Sequence, residues 1–387
     1  MNDLSNKAIL FFLAFLCSID RLLMTEGLVK PIYVIVFFSL ILLIKVVVNG
    51  NIKVKKHLMI AYIALIVWIF TSNIWAKVVF VNTTLVTVFV ISFAFILVCK
   101  SLDEKELHLM RVAFLLGGLI VCINILLSNQ YLNDFEGRLV LDGISEGGAN
   151  DPNWVSWLLL PSLFVSIKYT SSKKFIHRFF GYFCMIIIFY SIVLSASRGA
   201  ILAIIVSILC KWIYERKYIT TFFSLSILML IGVFFIDYVT ALLGHRFDIT
   251  FMVETGGAGR MDIWKVALEM IKDNFMLGVG VGNFNSYWQF YAGEAGIGLS
   301  HGAERVAHNF LLQCFSELGF IGIMLFLCVV YFSFRKNISS LLLNNEDFVW
   351  GGLSLVIGAM FLNAFNEKMF WLFIGIVGSF RIGKNYC

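Results

Sequence analysis

Residues 308–334 read "HNFLLQCFSELGFIGIMLFLCVVYFSF". As one α-helix this stretch would be about 40 Å long, enough to cross a hydrocarbon layer about 30 Å thick. The run is continuous and does not alternate, which favours a membrane helix over a barrel strand. Polar side chains are costly in such a segment, so an ionisable residue at its head, His308, and a carboxylate inside it, Glu317, both call for a reason.

The rest of the chain is of the same kind. Its 387 residues are 60% hydrophobic and 14% charged, with three prolines and a mean hydropathy of +0.90. A soluble domain of this length would be far more polar. The expected fold is an all-α polytopic membrane protein, a single integral membrane domain over 1–387 with about 12 transmembrane helices. The candidate spans are 8–24, 31–49, 58–75, 78–99, 110–128, 152–169, 178–196, 199–214, 219–243, 308–334, 349–365 and 367–380. The last two are separated only by a tight turn at Asn366 and Glu367.

Placing both termini in the cytoplasm puts most of the 30 lysines and arginines on the inner side, including Lys53, Lys55, Lys56, Lys173, Lys174, Arg178, Arg216 and Lys217. Every short inner loop then obeys the positive-inside rule. The first span follows Lys7, carries Asp20 and Arg21 at its far end and has no small-residue cleavage site, so it reads as an uncleaved span. The net charge of +6 comes without an RNA-binding pattern, which argues against a nucleic-acid partner. None of the eight cysteines falls in an outer loop, which argues against a disulfide framework or a cysteine metal site.

Two outer loops are longer than connection requires, 129–151 and above all 244–307, and long loops in a compact fold are usually functional. Within the second, 260–276 reads as an amphipathic helix, with Trp264, Ala267, Leu268, Ile271 and Phe275 on one face and Asp262, Lys265, Glu269, Lys272 and Asp273 on the other. Gly278 is its expected stop. Such a helix lies along a membrane surface or covers a cavity. The "GVGVGN" that follows has no βαβ unit around it and is not a dinucleotide fingerprint.

Several polar residues map to this outer face. Arg198, in the tight Ser-Arg-Gly joining two antiparallel spans, either snorkels to lipid phosphate or holds phosphate oxygens in its planar fork. Arg260 opens the amphipathic helix, where a cation opposes the helix dipole; it is either a solvated loop arginine or half of an anion site. Asp151 before Pro152 is a helix cap, and with Asn153 and Arg138 it could also face an outer-leaflet site. His308 is either an interfacial histidine or a general base, its ordinary pKa lying near working pH. On a straight helix Gly319 and Gly322 fall near the stripe of His308 and would let a neighbouring helix approach beneath it. Glu317 lies on nearly the opposite side, in line with Gln313, and reads as a structural partner. Two arginines suit a diphosphate and a histidine suits a hydroxyl. No acidic triad suited to a metal is visible on this face. The reaction class that fits is metal-independent displacement of a diphosphate from a membrane-borne donor, with no cofactor.

The motifs taken in order resemble those of the O-antigen ligase and polymerase superfamily of bacterial envelope enzymes: "SRG" at 197–199, "GRMDIW" at 259–264, "NFMLGVGVGNF" at 274–284, and "HN" at 308–309 followed by nine residues and "GFIG" at 319–322. "NDPN" at 150–153 is similar to a segment of many members. The motif region covers about 150–322, and Phe275 stands where many relatives carry proline. The resemblance implies a twelve-span protein of the bacterial inner membrane, active on its outer face. It implies an inverting, metal-independent glycosyltransferase that moves a glycan from an undecaprenyl diphosphate carrier to an acceptor hydroxyl. By carry-over His308 would activate the hydroxyl and Arg198 and Arg260 would hold the diphosphate, with Arg305, Asn309, Asp151 and Asn153 as accessory candidates and Glu317, Gly319 and Gly322 as structural residues of the motif. The expected activity is that of an O-antigen ligase with lipid A-core as acceptor. The alternatives are a polymerase of O-antigen, capsule or exopolysaccharide units and, from another class, a transporter of lipid-linked glycans. A transporter would carry charges along its spans and commonly a repeated architecture, whereas here the polar candidates gather at one face.

Overall fold

A computed structural model of the chain describes residues 2–23, 31–48, 54, 56–100, 102–127, 151–234, 259–297, 305–335, 342 and 345–379. Among them the chain forms fourteen helices and no strand. In order these are α1 (Asn2–Ser18), α2 (Pro31–Val48), α3 (Lys56–Thr71), α4 (Val81–Lys100), α5 (Glu104–Leu127), α6 (Pro152–Thr170), α7 (Phe175–Leu194), α8 (Arg198–Tyr214), α9 (Tyr218–Phe234), α10 (Arg260–Asp273), α11 (Phe284–Glu294), α12 (Phe310–Phe334), α13 (Glu346–Ala359) and α14 (Lys368–Ser379). Short 3₁₀ turns occupy Ser72–Ile74 and Ala364–Asn366.

Among the described residues five helical segments are long and apolar enough to cross a membrane: Lys56–Ile74, Val81–Lys100, Glu104–Leu127, Phe175–Leu194 and Phe310–Phe334. Their outward faces carry large apolar side chains in the open, as do those of the shorter apolar helices; Ile176 is 77% exposed and Phe222 67%. A water-soluble surface would not leave such a belt uncovered, and lipid satisfies it. Inside, α6 packs between α7 and α13, α14 lies along α4, α1 along α5, and α3 along α12.

Among the described residues the charged side chains buried in this bundle are paired. At one end Arg111 donates to both carboxylate oxygens of Asp347, at 2.7 and 3.0 Å, and also to Asn345. At the other end Arg21 pairs with Glu367 at 2.8 Å and Lys368 with Asp20 at 2.9 Å. This second pair of bridges corrects the first span. Helix α1 stops at Ser18, and Asp20 and Arg21 sit in the turn beyond it, drawn to the segment that opens α14. The expected turn between the last two spans is the 3₁₀ turn Ala364–Asn366, tied to α4 by the Thr87 hydroxyl on the Asn366 carbonyl oxygen at 2.9 Å.

The amphipathic helix is present as α10, but its buried stripe differs from the expected one. Ile263, Val266, Ala267, Met270 and Ile271 are buried, Leu268 is 56% exposed, and Phe275 lies beyond the helix end. The reason is that α10 packs on protein: with α11 and Ala307 it forms a small separate core containing Phe284, Trp288 and Tyr291. Gly278, expected to stop the helix, lies four residues past its C-cap Asn274 and does something else, described below. Arg138 with the rest of 129–150, and 244–258 and 298–304 of the second loop, lie outside the described residues, as does the ninth span beyond Phe234.

Candidate active site at the helix starts

The turn between α7 and α8 is Ser195–Ser197, with Ala196 in the left-handed region at φ 47°, and Arg198 is the first residue of α8. Arg260 is likewise the first residue of α10, after Gly259 at φ 75°. Both candidate arginines therefore stand at helix N-termini, where unpaired backbone N–H groups already favour an anion. The residue after Arg198 and the Arg260 side chain meet one ring. A Cβ on Gly199 would come within 3.1 Å of Phe361, and the Arg260 guanidinium lies 5.6 Å from the centre of the same phenyl ring.

A third helix start joins them. Asp151 caps α6, its carboxylate accepting the Asn153 N–H at 2.8 Å and the Asn153 side-chain amide at 2.9 Å, with Pro152 at the first helical position. The Asn153 carbonyl oxygen in turn accepts the Ser197 hydroxyl at 3.2 Å. The capping role expected of Asp151 is thus observed, and Asn153 ties the start of α6 to the turn that presents Arg198.

His308 belongs to a fourth start, but not in the expected way. It precedes α12 rather than lying in it, and its backbone is left-handed at φ 45°. The cap is Asn309, whose side-chain oxygen accepts the N–H groups of Leu311 and Leu312 at 3.0 and 3.2 Å. Helical bookkeeping from His308 to the glycines therefore does not apply. The imidazole is held below the ordinary histidine pKa, first by burial and then by the Arg260 charge. The Asp151 carboxylate opposes this and Arg305 adds to it. Arg260 and Asp151, from two segments far from His308 in sequence, and Arg305, three residues before it, are thus near enough for their charges to act on the imidazole. Arg305 is anchored through its backbone N–H, which donates to the Asn285 side chain at 3.0 Å. Among the described residues no three metal-ligating side chains come together.

Gly319 has a different task from the one expected. Helix α12 is broken at Gly319 (φ 68°, ψ −172°). A Cβ there would lie 2.4 Å from the Met276 carbonyl oxygen and 2.6 Å from the Gly278 nitrogen, and one on Gly278 would lie 2.5 Å from the Glu317 carbonyl. Two backbones meet at this point, and only glycine admits the approach. The break frees the carbonyls and amides that a helix would pair internally, and the "GVGVG" loop supplies substitutes. Val279 N–H donates to Ser316 at 2.9 Å and Gly280 N–H to Glu317 at 2.8 Å, while Phe320 N–H donates to Phe275 at 2.8 Å. The Trp68 indole takes the Leu318 carbonyl at 2.9 Å. Gly322 does face a neighbouring helix as expected: a Cβ there would lie 3.2 Å from Trp68 of α3. Glu317 pairs with Gln313 as its spacing suggested, and its other oxygen accepts the Gly282 N–H at 2.8 Å.

Phe361 and Ala307 carry no signal in the sequence. Each matters through a contact with a distant segment, as when the Trp264 indole donates to the Ala307 carbonyl at 3.1 Å.

Residues 183–327, a little over a third of the chain, match the family profile described as O-antigen ligase. The match supports the O-antigen ligase and polymerase superfamily, and the matched segment spans Arg198, Arg260, Arg305, His308 and the broken helix down to Gly322. Asp151 and Asn153 precede it. A search of curated proteins returns no match. The O-antigen ligase family implies glycosyl transfer of an O-antigen ligase or polymerase type, with a lipid-linked glycan, at a bacterial inner membrane.

Proposed function

We propose that the chain is a membrane glycosyltransferase that moves a glycan from an undecaprenyl diphosphate carrier to an acceptor hydroxyl, as an O-antigen ligase acting on lipid A-core. The observation that carries this reading is the gathering of Asp151, Arg260 and Arg305 around His308, with the starts of α8 and α10 flanking Phe361. The twelve apolar segments and the positive-inside bias support twelve spans with both ends inside and this site on the outer face. The polar candidates lie together at helix ends, which favours a transferase over a transporter.

In the proposed step the neutral His308 imidazole takes the proton of the acceptor hydroxyl. The hydroxyl oxygen attacks the anomeric carbon from the face opposite the carrier, forming the new glycosidic bond with inversion. The bond from that carbon to the diphosphate oxygen breaks, and the electron pair leaves with undecaprenyl diphosphate. Arg198 and Arg260, each backed by a helix N-terminus, take the developing phosphate charge. No metal has a place in this scheme.

Incubating purified protein with undecaprenyl diphosphate-linked glycan and either lipid A-core or a second donor tests the reading. Glycan on the core is the expected product; a lengthened carrier-linked glycan would make the chain a polymerase, and neither product would remove the transferase reading. Arg198→Ala and Arg260→Ala are each expected to weaken donor binding by about tenfold or more, the scale of one lost charge-assisted hydrogen bond of about 1.5–3 kcal/mol. Unchanged donor affinity in both would remove the diphosphate clamp.

The rate should also depend on pH in a defined direction. A lowered His308 pKa means that the base-competent neutral form persists to more acid pH than for an ordinary histidine. The acid limb of kcat/KM, which reports the free enzyme, is expected below about pH 6.5, the ordinary histidine value. A bound diphosphate offsets the Arg260 charge, so the acid limb of kcat should lie at higher pH than that of kcat/KM. Limbs in the reverse order would contradict this placement of the two groups.

A further inference from the structure

The hydrogen bonds of Gln313 and Glu317 form a line from the broken helix to the backbone beside His308. Gly282 N–H donates to one oxygen of Glu317 at 2.8 Å. The other oxygen accepts the Gln313 side-chain amide. The Gln313 carbonyl oxygen accepts the N–H of Ala307 at 2.9 Å. Both side chains are buried, and Ala307 is fully so. Ala307 is the residue before His308, whose left-handed backbone needs external support because an L-residue there is disfavoured. From this we infer that Gln313 and Glu317 are positioning residues for His308, coupling its posture to the "GVGVG" loop seated in the break of α12. The inference rests on the proposed role of His308.

The line has a fixed polarity. Its two ends, Ala307 N–H and Gly282 N–H, can only donate. Each of the two side chains must therefore turn an oxygen outward, and the bond between them needs one donor and one acceptor. One amide and one carboxylate satisfy this in either order. Two amides cannot, because their NH₂ groups would face each other or one would face a backbone N–H. Two carboxylates this close keep one proton between them, and the protonated one donates to the other while both outward oxygens accept. Glu317→Gln alone should break the line, Gln313→Glu alone should keep it through the shared proton, and the exchange Gln313→Glu with Glu317→Gln should restore what Glu317→Gln loses. A role in simple packing makes no such distinction, since Glu and Gln have nearly the same shape.

The test is a double-mutant cycle on the full-length protein. Transfer to lipid A-core or to a second donor is measured per folded molecule, with the folded fraction taken from size-exclusion chromatography. Misplacement of a reacting group by about 1 Å costs about 100-fold, so Glu317→Gln should lose about that much kcat with little change in donor KM, and Gln313→Glu should not. The exchanged pair should recover most of it. A readout independent of transfer is the rate at which diethyl pyrocarbonate acylates His308, followed by peptide mass spectrometry. That rate should change in Glu317→Gln and return in the pair. A Glu317→Gln variant with parental kcat and acylation rate, or a pair no better than it, would overturn the inference. If His308→Ala keeps full transfer while acylation still follows the polarity rule, the positioning stands and the base role of His308 falls instead.

Discussion

His308→Ala is expected to lower kcat by about a hundred- to ten-thousandfold, the range over which a general base contributes. The donor should still bind, because the arginines begin other helices and Asn309, not His308, caps α12. Stability should change little, and removing a left-handed histidine from a polar corner takes away no bond that holds α12. Glycan transfer measured under saturating donor, together with donor affinity, checks both parts. Full transfer in the variant would show that the acceptor hydroxyl is activated by something else.

The largest structural effect is expected of Gly319→Ala. The added methyl would sit 2.4 Å from the Met276 carbonyl oxygen and 2.6 Å from the Gly278 nitrogen, both backbone atoms, at φ 68°. The left-handed backbone alone costs a non-glycine residue about 1 kcal/mol or more, and overpacking adds about 1–3 kcal/mol. Relief requires the 275–280 segment to withdraw, and with it the hydrogen bonds at Ser316, Glu317 and Phe320 that close the break. The chain should lose its monodisperse peak in detergent or unfold at a much lower temperature. Gly293→Ala is the control, in a helix with nothing within 4 Å of the new methyl; it should be neutral or stabilising by about 1 kcal/mol. Equal behaviour of the two would contradict the account of the crossing.

Much of the helix inventory was legible in order. Each apolar run of sufficient length became a helix, because a chain in lipid must pair its backbone within itself and has no cheaper way to do so. The pairing of Gln313 with Glu317 was legible too, since residues four apart share a helix face. The buried stripe of α10 was misjudged by about one position. Its partners are α11 and Ala307, and periodicity alone does not say which of two adjacent stripes meets them. The roles of Gly278 and Gly319 were misjudged for a similar reason. A glycine in an apolar run reads as a place for a helix to approach, and nothing nearby in sequence reveals that a loop 40 residues earlier enters the helix instead.

The sequence by itself determined a membrane-embedded bundle and the residue types gathered at one of its ends, because hydropathy and motif order are local properties. Only the tertiary structure decided that His308 stands outside its helix, that α12 is broken at Gly319, and that Glu317 faces the loop in that break. Those facts depend on which backbone groups lose their helical partners and which distant donors replace them, a balance struck between segments and written in neither one alone.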